Sequence, residues 1–169
     1  HSNHNPTVVA QCLLEQGTTA LADGFYGPAI VSGPHAVREL ADEFLATPVK
    51  LILLAPTHAY VQNRAAGFAP SPGGVTIEDL AAMVEWPICR GLEETFYDVL
   101  CDPAMRDAEL LDVIWRALEL GKVATGHGVE PESAQQLAAW AAAGISNDHE
   151  GVTRAAVAAR LDAGLHVLL

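Results

Sequence analysis

Apolar residues fall into two alternating patterns along this chain: stretches with three- and four-residue spacing, and short runs that are apolar almost throughout. The first pattern predicts amphipathic helices and the second buried strands. Helical spacing covers residues 6–16, where Pro6 suits a first helical turn, and returns at 34–46, 76–84, 104–120, 133–143 and 152–162. Strand-like runs lie at 18–22, 49–55, 88–92, 122–126, 145–147 and 166–169. The run 49–55, Val-Lys-Leu-Ile-Leu-Leu-Ala, is apolar enough for a strand covered on both faces. Six such repeats with no hairpin signal between them predict an α/β fold with a parallel sheet and right-handed crossovers. No Gly-x-Gly-x-x-Gly turn follows any strand, which argues against a dinucleotide site. The Pro/Gly-rich stretch 56–74 reads as a long loop at a site rather than a linker, so residues 1–169 read as one domain.

Composition narrows the function. Half of the 169 residues are hydrophobic, enough for a real core. A formal charge of −12 argues against a nucleic-acid or anionic-membrane surface. Cys12, Cys89 and Cys101 form no CxxC pair, so reduced thiols and a cytoplasmic location are expected. No apolar run nears the ~20 residues of a membrane span, and no charged-then-apolar leader opens the chain.

The candidate chemistry sits at strand ends. His127 closes the run 122–126 between two glycines, and His149 follows the run 145–147. A histidine at the carboxyl end of each of two successive strands is how an α/β barrel aims two imidazoles at one mouth. Neutral imidazole is the commonest protein ligand of divalent metals. Glu93 and Glu94 end the strand 88–92, where a carboxylate can join the histidines on a metal; a solvated pair opening a loop is the plainer alternative. Asp148 and Glu150 flank His149 and are placed to orient an imidazole. Asp23, closing the first strand, and His58, after the second, are candidate substrate contacts. His35 and His166 read as structural.

Three segments carry a resemblance: Gly91-Leu92-Glu93-Glu94, Gly126-His127-Gly128, and Ala142-Ala143-Gly144-Ile145-Ser146-Asn147-Asp148-His149-Glu150. With Gln16–Asp23 and Ala55-Pro56-Thr57 they resemble the bacterial adenine deaminases of the amidohydrolase superfamily. The resemblance implies a partial (β/α)8 barrel, from the end of strand one to strand seven, in a metal-dependent hydrolase. It implies two divalent ions, manganese or iron with zinc as an alternative, and a purine base as substrate. Glu94 matches the family's bridging glutamate, and His127 and His149 its fifth- and sixth-strand histidines; the three form the catalytic set. His1 matches the second histidine of the family's His-x-His, with His4 the weaker candidate. The implied reaction is hydrolytic deamination of adenine to hypoxanthine and ammonia.

Two departures bear on substrate. Gly24-Phe25-Tyr26 follows Asp23 where the family has Pro-His-Glu, and Glu93 replaces a glycine. A related amidohydrolase opening a cyclic amide or acting on another amine is therefore a rival reading, as is an inactive truncated barrel. About six strands of an eight-stranded barrel leave two exposed edges. The 169-residue chain on its own is expected to self-associate as a homo-oligomer or aggregate, and to lack deaminase activity.

Overall fold

The computed structural model describes residues 5–65, 74–129, 131 and 133–168, in two compact units, 1–90 and 91–169. His1 and His4 lie outside the described residues, as does 66–73 of the expected loop.

The first unit begins with α1 (Pro6–Glu15), capped by Asn5, whose side chain accepts from the backbone N–H groups of Thr7 and Val8. β1 (Ala20–Asp23), α2 (Tyr26–Leu45) and β2 (Lys50–Ala55) follow. β1 and β2 pair in parallel, from Ala20 opposite Lys50 to Asp23 opposite Leu53. α2 buries Ala29, Val37, Ala41 and Phe44. It starts earlier than the expected residue 34 because two helical stretches meet at a kink at Gly33. Pro34 disfavours helical angles in the residue before it, which hides the first stretch from the periodicity. The expected loop at 56–74 is helical at its start, as α3 (Thr57–Ala65), whose polar His58, Gln62 and Asn63 mask the pattern. α4 (Ile77–Val84) opens with a capping box in which Thr76 and Asp79 each accept the other's backbone N–H.

The second unit holds β3 (Cys89–Phe96), which starts at the boundary, α5 (Asp98–Cys101), α6 (Ala108–Glu119), β4 (Val123–His127), α7 (Ala134–Ala142), β5 (Ile145–Asp148), α8 (Arg154–Asp162) and β6 (His166–Val167). These strands pair in parallel and in chain order. A helix between each pair makes this the βα repeat of a partial (β/α)8 barrel, as the alternation predicts. Two boundaries differ from expectation by more than two residues. β3 runs on to Phe96, so Glu93 and Glu94 lie inside the strand rather than beyond it. The expected helix 104–120 begins only at Ala108, where the Asp107 side chain caps it by accepting from Leu110 N–H, and the short α5 precedes it.

α6 and α7 supply much of this unit's core. Leu110, Ile114 and Ala117 recur along one side of α6 and are fully buried, as are Leu137 and Trp140 on α7. No helix among the described residues is long and apolar enough to cross a membrane. All three cysteines are free.

The neighbours Ile114 and Trp115, 0% and 50% exposed, give a direct test of this core. Ile114→Ala should cost about 2–5 kcal/mol by urea denaturation, through lost burial and the cavity it leaves. Trp115→Ala should stay within about 0.5 kcal/mol, as surface substitutions do.

Candidate functional site

Parallel pairing brings the carboxyl ends of β3, β4 and β5 side by side, and three sequence-predicted residues meet there. Glu94 lies in β3, His127 ends β4, and His149 follows the last residue of β5. One ligand atom from each lies within 4.8 Å of the others. His127 Nδ1 and His149 Nε2 are 3.2 Å apart, with their rings at 63°. Glu94 Oε2 is 3.8 Å from His127 Nδ1, and Glu94 Oε1 is 3.7 Å from His149 Nε2.

Two irregularities in the sheet aim these groups. Leu92 pairs with Ala124 and Thr95 with Gly126, so Glu93 and Glu94 together face the single residue Thr125. Ala124 pairs with Ile145 and Thr125 with Asn147, so Ser146 is the extra residue in β5. Ser146 Oγ donates to Ala124 O at 2.9 Å and closes that second bulge. Bulges re-aim side chains beside functional sites. Here one sends Glu94 toward the histidines, while Glu93 is buried, at 4% exposure.

The glycines around His127 have a packing reason. A Cβ at Gly126 would lie 2.4 Å from Trp140 Cη2 and 2.6 Å from Asn147 O. A Cβ at Gly128 would lie 2.6 Å from Trp140 Cζ3 and 2.9 Å from Asp148 Oδ2. Any side chain at either position would displace the buried Trp140 that braces the strand end. Phe96, opposite His127 in the β3–β4 register, packs edge-on to its ring at 5.0 Å.

Asp148 takes a different place from the one expected of it. It is fully buried, and its carboxylate points at Arg160 and the backbone rather than at an imidazole. Its Oδ1 accepts from Gly128 N–H at 2.9 Å and Glu150 N–H at 3.3 Å, and its Oδ2 accepts from Arg160 Nε. Burial alone would raise the Asp148 pKa, but these bonds and the Arg160 charge hold it below its ordinary value. Glu150 reaches the site directly: its Oε1 is 3.5 Å from His127 Nδ1 and 3.4 Å from His149 Nε2. Arg160, which the sequence reading missed, carries no strand-end or motif signal.

Asp23 and His58 belong to the first unit. Asp23 is buried, and its Oδ1 accepts the N–H of Phe25 at 2.8 Å, two residues on. That bond supports Phe25 in the left-handed region, at φ 53°. His58 packs its ring 4.3 Å from that of Tyr26, and its Nε2 is 3.3 Å from Gln62 Nε2.

The donor set fits a metal ion. Two bonds of ~2.1 Å to one ion separate their donor atoms by at most ~4.2 Å, and by ~3.2 Å at an angle near 100°. The separation of the two imidazole nitrogens falls inside that limit, as do the two Glu94 contacts, one through each carboxylate oxygen, while a set of one atom per residue spreads to 4.8 Å. Two imidazole nitrogens and a carboxylate oxygen suit zinc, iron or manganese.

This fold and this group of residues define the class, a parallel α/β sheet of the partial (β/α)8 kind with a His/His/Glu cluster able to hold a metal. The chain is homologous over nearly its whole length to a segment of the adenine deaminases. It is 30% identical over 166 residues to adenine deaminase of Ruegeria pomeroyi, covering 97% of this chain and 26% of that protein. Against the Moorella thermoacetica adenine deaminase the figures are 32% over 166 residues, 96% and 26%. Against that of Nitratidesulfovibrio vulgaris they are 31% over 167 residues, 98% and 28%. The chain thus spans about a quarter of the length of the curated relatives it matches. No family model matches it.

Glu94 and its neighbour provide the test of this geometry. Glu94→Gln removes the carboxylate charge between the histidines and should weaken Mn²⁺ or Zn²⁺ binding at least tenfold by calorimetric titration. Glu93→Gln should leave that affinity within twofold; equal losses would show that the bulge does not select between the two.

Proposed function

We propose that this chain is part of the catalytic barrel of a metal-dependent deaminase that converts adenine and water to hypoxanthine and ammonia. The observation that carries the reading is the convergence of Glu94, His127 and His149 at three adjacent strand ends. Similarity to adenine deaminases over nearly the whole chain supports it. The proposed full site takes two divalent ions, manganese or iron, with His1 as a further ligand, and the full-length protein acts in the cytoplasm.

A bound divalent ion would supply Lewis acidity, lowering the pKa of a water toward neutrality. Glu94, His127 and His149 are the residues that would hold it. Glu150 Oε1 lies beside the same two ring nitrogens, placed to orient a water by accepting its hydrogen bond. In the overall reaction, water oxygen bonds to adenine C6, the C6–N bond to the exocyclic amine breaks, and ammonia leaves. Asp23 and His58 are the proposed substrate contacts.

A second reading, hydrolysis of another amine or of a cyclic amide, is favoured by the segment after β1. There Asp23 supports a left-handed, buried Phe25.

The test is ammonia release by the protein in its full natural length, with added Mn²⁺ or Fe²⁺, against adenine and a panel of cyclic amides and amines. The proposal expects turnover of adenine that Glu94→Gln abolishes. Turnover of another substrate in its place would support the second reading. Loss of activity in Glu93→Gln but not in Glu94→Gln would overturn the site assignment.

A further inference from the structure

Gly128 immediately follows His127, Asp148 immediately precedes His149, and one buried arginine holds both. Arg160 comes from α8 and is 5% exposed, against 0% for Asp148. Its Nε donates to Asp148 Oδ2, its Nη2 to Gly128 O at 2.6 Å, and its Nη1 to Ala156 O at 3.3 Å. Asp148 completes the circuit by accepting from Gly128 N–H and Glu150 N–H through Oδ1. The backbone after one histidine and the backbone on both sides of the other are thus tied to a single ion pair. Both partners are almost wholly removed from water, so the directions of these bonds are fixed rather than averaged. Nothing else among the described residues bonds both Gly128 and Asp148 with one side chain.

We propose that Arg160 is a positioning residue for the metal centre: through Asp148 and Gly128 it sets the 3.2 Å separation of His127 Nδ1 and His149 Nε2. The proposal rests on the metal-site reading above but concerns a residue that touches neither the ion nor substrate. The planar fork of arginine is what the role requires. Its Nε and Nη2 reach two acceptors at a fixed spacing, which a lysine ammonium, a point donor on a flexible stem, cannot reproduce. Charge alone would be served by either residue; geometry is served only by arginine.

The experiment compares Arg160→Lys and Arg160→Gln with the wild-type full chain in three measurements. These are Mn²⁺ affinity by calorimetry, thermal unfolding of the metal-free protein, and ¹⁵N spectra of the His127 and His149 rings without metal. Arg160→Lys should remain folded, bind Mn²⁺ about 10–100-fold more weakly, and show ring nitrogens shifted toward those of unpaired imidazoles. Arg160→Gln should lose at least as much affinity. Wild-type affinity and wild-type ring spectra in a folded Arg160→Lys would overturn the proposal. So would loss of folding in both variants, which would make Arg160 a stability residue only. If the wild type takes up no metal, the functional reading fails, while the ring spectra of the variants still decide whether Arg160 sets the imidazole spacing.

Discussion

Neighbouring strands in a sheet lie about 4.8 Å apart, and this spacing governs what the second unit can do. Parallel pairing of β3, β4 and β5 puts their carboxyl ends on one side, so side chains from three separate parts of the chain reach one point. The spacing brings the donors near, but regular pairing alone does not aim them. The extra residue in β3 turns Glu94 toward the histidines and leaves Glu93 buried. The extra residue at Ser146 adjusts β5 in the step before Asp148 and His149.

A site of this kind needs stiff support, because without an ion no bond draws its donors together and the surrounding structure must hold them. The support comes from two sources with different costs. Trp140 braces the end of β4 through packing, made possible by the bare backbone at Gly126 and Gly128. Asp148 and Arg160 fix the next turn through a buried ion pair, whose desolvation largely offsets its attraction. Removing one partner from such a pair leaves an uncompensated buried charge and costs about 3–5 kcal/mol. What the pair adds over an apolar contact is direction, since five hydrogen bonds converge on Asp148 and Gly128 from side chain and backbone alike.

Much of this architecture was legible in the order of residues. Strand-helix alternation announced the parallel sheet, and Glu94, His127 and His149 stood out because each falls at or near a strand's carboxyl end. The unread parts have physical reasons. A bulge is a mismatch between two strands, so neither strand's own pattern records it. α3 mixes polar His58, Gln62 and Asn63 with only two buried apolar residues among those described, Ala59 and Tyr60, too short an apolar face to detect. Phe25 adopts a left-handed backbone because Asp23 holds its N–H, a pairing that composition does not announce. Arg160 sits among alanines on α8 and gains its meaning only from partners 12 and 32 residues away.

The central claim is that Glu94, His127 and His149 form one metal-binding group. Anomalous diffraction at the manganese edge, from crystals grown with Mn²⁺, tests it most directly. The account predicts a peak about 2.1 Å from His127 Nδ1 and His149 Nε2 and within bonding distance of a Glu94 oxygen. An anomalous map with no peak at these three residues, or with manganese held only by surface carboxylates elsewhere, would contradict it.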